Sequence, residues 1–243
     1  MSQYIYFNPN PILDPLTNNW EKIRDEFNAW LPTHIKDLSD PESPGKKANH
    51  ITNLQQKDDV VYEGIFKCMP TFIRDSLLDD REAATLGFPN ENGVLIPPWP
   101  NFRKGGPTYC LREDRIAKMP TIGNWLMENF DIIGSVQYNI CLPNSLLNHH
   151  WGLDYNYLRL HLVLDDAPGC LFDIEGEKHE WVNGELFGFD DSMVLHGTKH
   201  TGTKPRTIVL IDILKTAIQP YAKTWPVKPW LERKKRPIID VKW

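Results

Sequence analysis

The chain has 243 residues, of which 41% are apolar and 24% charged, with a formal net charge of −5. That composition fits a globular protein with a sizeable core, and its acidic balance leaves no electrostatic footprint for nucleic acid. No run approaches the roughly 18 apolar residues of a membrane span, and the opening MSQYIYFNPNP lacks the basic start and apolar stretch of a signal peptide, so neither is expected.

Residues 18–31 read as an amphipathic helix, with Trp20, Ile23, Phe27 and Leu31 at helical spacing and Asn18 and Glu21 as a capping pair. From Ser39 to Asp59 the chain turns polar and reads as a loop or linker. A second helical stretch is expected from about Val60 to Asp80, broken at Pro70. Residues 88–107 hold five prolines and read as irregular, with one short strand at GVLI. Another helix is expected over 120–129, opened by Pro120 and Thr121.

After Ile132 short β-like runs follow: SVQYNICL, YLRLHLVL, CLFDI, HEWV, ELFGF, MVLH and RTIVLIDIL. Turn signals at Asp165–Asp166, Pro168–Gly169, Glu175–Gly176 and Asn183–Gly184 separate them, which predicts an antiparallel sandwich or small barrel. The tail beyond Leu214 is basic and carries Trp225, Trp230 and Trp243; it reads as a solvated, aromatic-anchored tail. The cysteines Cys68, Cys110, Cys141 and Cys170 form no CxxC pair, so a zinc knuckle is not expected and reduced thiols in a cytoplasmic protein are.

The run YLRLHLVL alternates. Leu158, Leu160, Leu162 and Leu164 share one face; Arg159, His161 and Val163 share the other. On an open sheet the second face would meet water. In a barrel it would point inward, where a buried arginine needs an anion. His149 or His150 lies just before this strand, His196 ends another, and Arg206 opens the last. Two imidazoles from separate strand ends can share one metal, and an arginine can clamp a carboxylate through two parallel hydrogen bonds.

The order and spacing in HWGLDYNYLRLHL, in the Trp181–His196 segment around GELFGFDDS, and in Arg206 before TIVLIDIL resemble the aspartyl/asparaginyl β-hydroxylase family. The resemblance covers roughly residues 105–214. It implies a mainly β fold with N-terminal helices and a double-stranded β-helix core, a jelly roll of the cupin kind. It implies an iron(II)- and 2-oxoglutarate-dependent dioxygenase that consumes O2. By position, His150 and His196 match the family's iron ligands, and Arg206 its clamp on the distal carboxylate of 2-oxoglutarate. Arg159 and His161 match polar residues beside the cosubstrate. Asn139 stands where the family often has a serine, and Trp99 matches a tryptophan near the cosubstrate. FDDSMVLH has one residue more before the histidine than the family pattern, which a bulge would absorb.

Most enzymes of this broader class add a carboxylate in a His-x-Asp/Glu pattern, but here that position is Gly152. Family members with glycine place water there, and halogenases of the wider superfamily place halide. Asp154 reaches such a metal only through a water, and Asp190 and Asp191 are expected to fix the loop below His196, acting on its second nitrogen. His200 is expected in an exposed polar loop, and His34, His50 and His179 at the surface.

The expected organisation is an N-terminal extension over 1–95, an oxygenase domain over 96–214 and a tail over 215–243. The expected partner is a small-molecule, amino-acid or peptide substrate, with no nucleic acid. The alternatives are a halogenase and a noncatalytic anion-binding barrel.

Overall fold

Strands with one apolar face must bury it against another layer, and the chain does so with two facing antiparallel sheets and a helical cover. The computed structural model describes residues 2–40, 62–74, 88–89, 95–96, 109–152, 156–225 and 243. Trp99, Asp154, His50, and most of the expected linker and tail lie outside the described residues.

In chain order the elements are α1 (Asp14–Asn18), α2 (Trp20–His34), β1 (Tyr62–Glu63), β2 (Phe66–Arg74), β3 (Phe88–Pro89), β4 (Leu95–Ile96) and β5 (Tyr109–Leu111). Then come α3 (Glu113–Lys118), α4 (Pro120–Glu128), β6 (Ile133–Cys141), β7 (Ser145–His150), β8 (Tyr157–Asp165), β9 (Cys170–Ile174) and β10 (Glu177–Glu180). The last are β11 (Leu186–Phe189), β12 (His196–His200), β13 (Arg206–Leu214) and α5 (Lys215–Ile218).

One sheet runs β11-β8-β13-β6-β2-β5 and the other β1-β7-β12-β9-β10. From β6 onward the strands pair first with eighth, third with sixth, second with seventh and fourth with fifth. That alternation between two sheets is a double-stranded β-helix, as expected from the sequence. β3 and β4 form a separate two-stranded pair, part of it at the expected GVLI strand.

The leucine face of β8 belongs to the outer core. Leu158, Leu160, Leu162 and Leu164 pack with Val136, Tyr138, Val209 and Ile211 and with Ile23 and Phe27 of α2 and Ile122, Trp125 and Leu126 of α4, all buried. Phe27 stacks on Tyr138 with ring centroids 4.2 Å apart. The other face, with Val163, looks between the sheets at Phe172, Ile174, Phe187, Phe189, Ile208 and Leu210. The strand therefore has two interiors, and Arg159 and His161 point into the one between the sheets. The β9–β10 hairpin turns at Glu175 and Gly176, both with positive φ (53° and 92°), the two-residue geometry that matches strand twist.

Several expectations change. Where a helix was expected from Val60 to Asp80, the described residues 62–74 instead hold β1 and strand β2, the latter buried on both faces, and Pro70 sits where the β2–β6 register shifts. Proline is tolerated in a sheet at such an irregularity. The helix expected from Asn18 starts at Trp20. Asn18 ends α1, and Asn19 turns its side chain back to the Pro15 carbonyl (2.8 Å) rather than capping α2. MVLH is mostly turn, with β12 beginning only at its histidine, and the polar GTKH continues that strand. The edge of β11 is covered by Ile5, which exchanges two backbone hydrogen bonds with Gly188 (2.7 and 2.8 Å).

Candidate active site

β7 and β12 are antiparallel neighbours, and their register sets His150 opposite His196. Between this pair and Leu147–Thr198, the two residues Asn148 and His149 oppose the single Gly197, so β7 carries the bulge. The extra residue of FDDSMVLH lies instead in the turn before His196.

The His150 and His196 rings are buried, with centroids 4.3 Å apart. Each Nδ1 faces a backbone carbonyl two residues earlier, Asn148 O at 2.9 Å and Val194 O at 3.1 Å. Those carbonyls only accept, so each Nδ1 carries a proton and Nε2 is the nitrogen left to meet another partner. His196 Nε2 stands 3.0 Å from Asp191 Oδ1.

Asp191 is therefore at Nε2 of His196, whereas the expectation put it at the ring's other nitrogen, Nδ1. Gly152 explains how it gets there. The Gly152 N–H donates to the Asp191 carbonyl (2.7 Å), and a Cβ built on Gly152 would lie 1.3 Å from Asp191 Oδ2. The carboxylate of Asp191 occupies the space that a side chain at 152 would need. Burial alone would raise its pKa, but Arg159, His196 and His150 outweigh burial and hold it well below the usual carboxylate range. Two imidazoles and a carboxylate suit a divalent transition metal. Among the described residues no group of three or more His, Cys, Asp or Glu side chains is placed to hold a metal ion, so any metal here would rest on the histidine pair and on ligands from outside the chain.

Arg159 is bound on both sides. Its Nε and Nη2 donate to Asp212 Oδ1 (2.9 Å) and Oδ2 (3.1 Å), and its Nη1 donates to Asp191 Oδ1 (2.9 Å). Ser135 Oγ adds a 2.6 Å hydrogen bond to Asp212 Oδ2. At the mouth, Lys215 Nζ pairs with Asp190 Oδ2 at 2.7 Å.

Arg206 lies at the other end of the lumen. It is 3% exposed, faces Cys141 across the β6–β13 ladder, and stacks 4.6 Å over the Trp181 ring. Its Nε and Nη1, the indole Nε1 of Trp181 and Nδ1 of His161 have no hydrogen-bond partner among the described residues. Four buried donor-capable atoms without partners in one lumen are costly unless a ligand serves them. Burial, then Arg206 and Arg159, push the His161 pKa well down, so its imidazole is neutral. Asn139 is buried on the same inward face of β6. The buried thiols of Cys141 and Cys170 border this end beside Arg206.

The structure thus brings His150, His196, Arg159, His161, Arg206 and Asn139 into one lumen. His149 points the other way: its Nε2 meets Asp173 Oδ1 at 3.0 Å and its ring lies tilted against Trp243 with centroids 4.6 Å apart. His200 is buried rather than exposed, with Nε2 donating to the Lys204 carbonyl (2.6 Å). His179 is half-buried against Tyr4 and bonded to Glu185, and His34 stacks on Trp30. Sequence reasoning missed Trp181 and Asp212 and misjudged Asp191. Parity along RTIVLIDIL, counted from Arg206, puts Asp212 on the inward face and was the available signal.

The family model described as aspartyl/asparaginyl beta-hydroxylase matches residues 79–216. "Aspartate beta-hydroxylase domain-containing protein 2" of Homo sapiens is 30% identical over 125 residues, covering 50% of this chain and 30% of that protein. "Aspartate beta-hydroxylase domain-containing protein 1" of Mus musculus is 31% identical over 83 residues, covering 33% of this chain and 23% of that protein. The matched segments thus span about a third or less of those relatives' length. The chain belongs to the aspartyl/asparaginyl β-hydroxylase family.

Proposed function

We propose that this protein is an iron(II)- and 2-oxoglutarate-dependent oxygenase that hydroxylates an Asp/Asn-like residue or a related small molecule. One observation carries the reading: a single lumen holds two Nδ1-tethered histidines at one end and a buried, partly partnerless guanidinium at the other. His150 and His196 would hold iron through Nε2, with Asp191 beside them as the acidic group that Gly152 does not supply. Arg206, steadied by Trp181, would take the distal carboxylate of 2-oxoglutarate, with Asn139 and neutral His161 along the way. When bound, iron and 2-oxoglutarate would together with O2 supply the oxidant, one oxygen atom going to the succinate formed with CO2 and the other to the hydroxylated substrate.

The chain's own contribution is orientation and dryness. Phe172, Phe187, Phe189 and Trp181 surround His161 with ring centroids 5.1–5.5 Å away, which keeps water from the lumen. Asp191 supports hydroxylation over halogenation, because a carboxylate already stands where halide would sit. We further place the catalytic unit in residues 96–214, with 1–95 and 215–243 as flanking segments, and the protein in the cytoplasm. Among the described residues no helix is long and apolar enough to cross a membrane.

The test is succinate release from 2-oxoglutarate with iron(II), O2 and candidate amino-acid or peptide substrates. His150→Ala is expected to abolish turnover. Uptake of 2-oxoglutarate without iron and without succinate release would instead support a noncatalytic anion-binding barrel.

A further inference from the structure

The two arginines of the lumen differ in kind. Arg206 keeps two nitrogens without partners, as a ligand-binding arginine would. Arg159 instead spends three of its nitrogens on two buried carboxylates, Asp212 and Asp191. Asp212 is 4% exposed and lies directly opposite Arg159 in the β13–β8 register. Two parallel N–H donors on its two oxygens fix the guanidinium plane as well as its position. Ser135, its neighbour across the β13–β6 ladder, locks the carboxylate from the far side. The third contact leaves from the opposite corner of the guanidinium and lands on Asp191 Oδ1, the oxygen that also faces His196 Nε2. The chain Ser135–Asp212–Arg159–Asp191–His196 thus crosses from β6 through β13 and β8 to the loop before β12.

We propose that Asp212 is a positioning residue: its two-point grip on Arg159 turns that arginine into a strut that presents the Asp191 carboxylate to the Nε2 edge of the histidine pair. The inference rests on the reading of His150 and His196 as metal ligands. It adds that the affinity of that site is set in part by a carboxylate two contacts away, on a strand that supplies no ligand.

The experiment is Co(II) binding to the full-length chain, followed by its visible absorption and by calorimetry, in wild type and in Asp212→Asn, Asp212→Glu, Asp191→Asn and the Asp212→Asn/Asp191→Asn double variant. Asp212→Asn keeps the size and loses one acceptor and the charge. It is expected to weaken Co(II) about tenfold or more and to alter the absorption band, as loss of an outer partner does at metal sites. Asp212→Glu, which can still grip both nitrogens, is expected to recover most of that loss. The double variant is expected to bind no worse than Asp191→Asn alone, because both substitutions cut one chain.

Should Asp212→Asn unfold the chain, Ser135→Ala carries the test, with a loss of about two- to fivefold in the same direction. Co(II) affinity unchanged in the folded Asp212 or Ser135 variants, or losses that add in the double variant, would overturn the strut and leave the metal reading standing. A wild-type chain that takes up no Co(II) would overturn the metal reading, and the strut with it.

Discussion

Gly152→Ala is the sharpest probe of the arrangement around the histidine pair. The added methyl would sit 1.3 Å from Asp191 Oδ2 and 2.1 Å from its Cγ, well inside van der Waals contact, so the carboxylate must leave. Gly152 is not among the residues with positive φ, so alanine brings no backbone penalty of that kind. Displacing Asp191 breaks its charged hydrogen bond with Arg159, worth about 1.5–3 kcal/mol. Forcing a methyl into the packed site adds about 1–3 kcal/mol. Together the loss is roughly 3–6 kcal/mol, read as a fall in the urea midpoint of the full chain at unchanged slope. The companion is Gly152→Ala/Asp191→Ala. With the carboxylate gone the methyl has room, and the double variant should lie within about 1 kcal/mol of Asp191→Ala alone. A Gly152→Ala loss under about 1 kcal/mol, or a double variant as unstable as the sum of the singles, would refute the idea that one volume is shared by position 152 and Asp191.

Three further expectations follow from the same lumen. Arg206→Met should raise the 2-oxoglutarate KM at least about tenfold while leaving Co(II) affinity within about twofold, since the guanidinium is at the end away from the histidines; equal losses of both would contradict the separation of roles. Unfolding free energy should decline as pH falls below 6.5. Burial lowers the folded pKa of His161, and that of His34 to about 4, so the unfolded chain takes up those protons first, and stability is lost below the unfolded pKa until the folded one is reached. Each group contributes at most about 1.4 kcal/mol per pH unit, and His34→Gln should flatten the slope between pH 6.5 and about 4. Leu160→Ala, at a fully buried position of the outer core, should cost about 2–5 kcal/mol by denaturation without altering the metal-binding geometry.

How much of this could be read from the sequence depended on whether the signal was periodic. The two faces of YLRLHLVL were legible because alternation states burial directly, and they correctly gave a leucine core on one side and Arg159 and His161 on the other. β2 was not legible. FKCMPTFIR is buried on both faces, so it shows no alternation, and its proline suggested a broken helix. β12 failed for the opposite reason: GTKH is polar yet mostly buried, and His200 finds a partner there, the Lys204 carbonyl, that composition does not reveal. The histidine pair was visible through motif order, which already favoured His150 over His149, and the strand register sets His150 opposite His196. Asp191 was misjudged because its approach depends on an empty volume at Gly152, a three-dimensional fact that a missing side chain only hints at.

The strip of chain around Ile5 bears on how the molecule can be handled. Ile5 closes the outer margin of β11, and Tyr4 beside it donates its hydroxyl hydrogen toward the carbonyls of Phe172 (3.3 Å) and Glu177 (3.0 Å) in the facing sheet. Trimming the first seven residues would leave Gly188 with open backbone groups and an aromatic hollow beneath, a template on which a second copy could zip its own strand. Such a truncated form should self-associate with rising concentration.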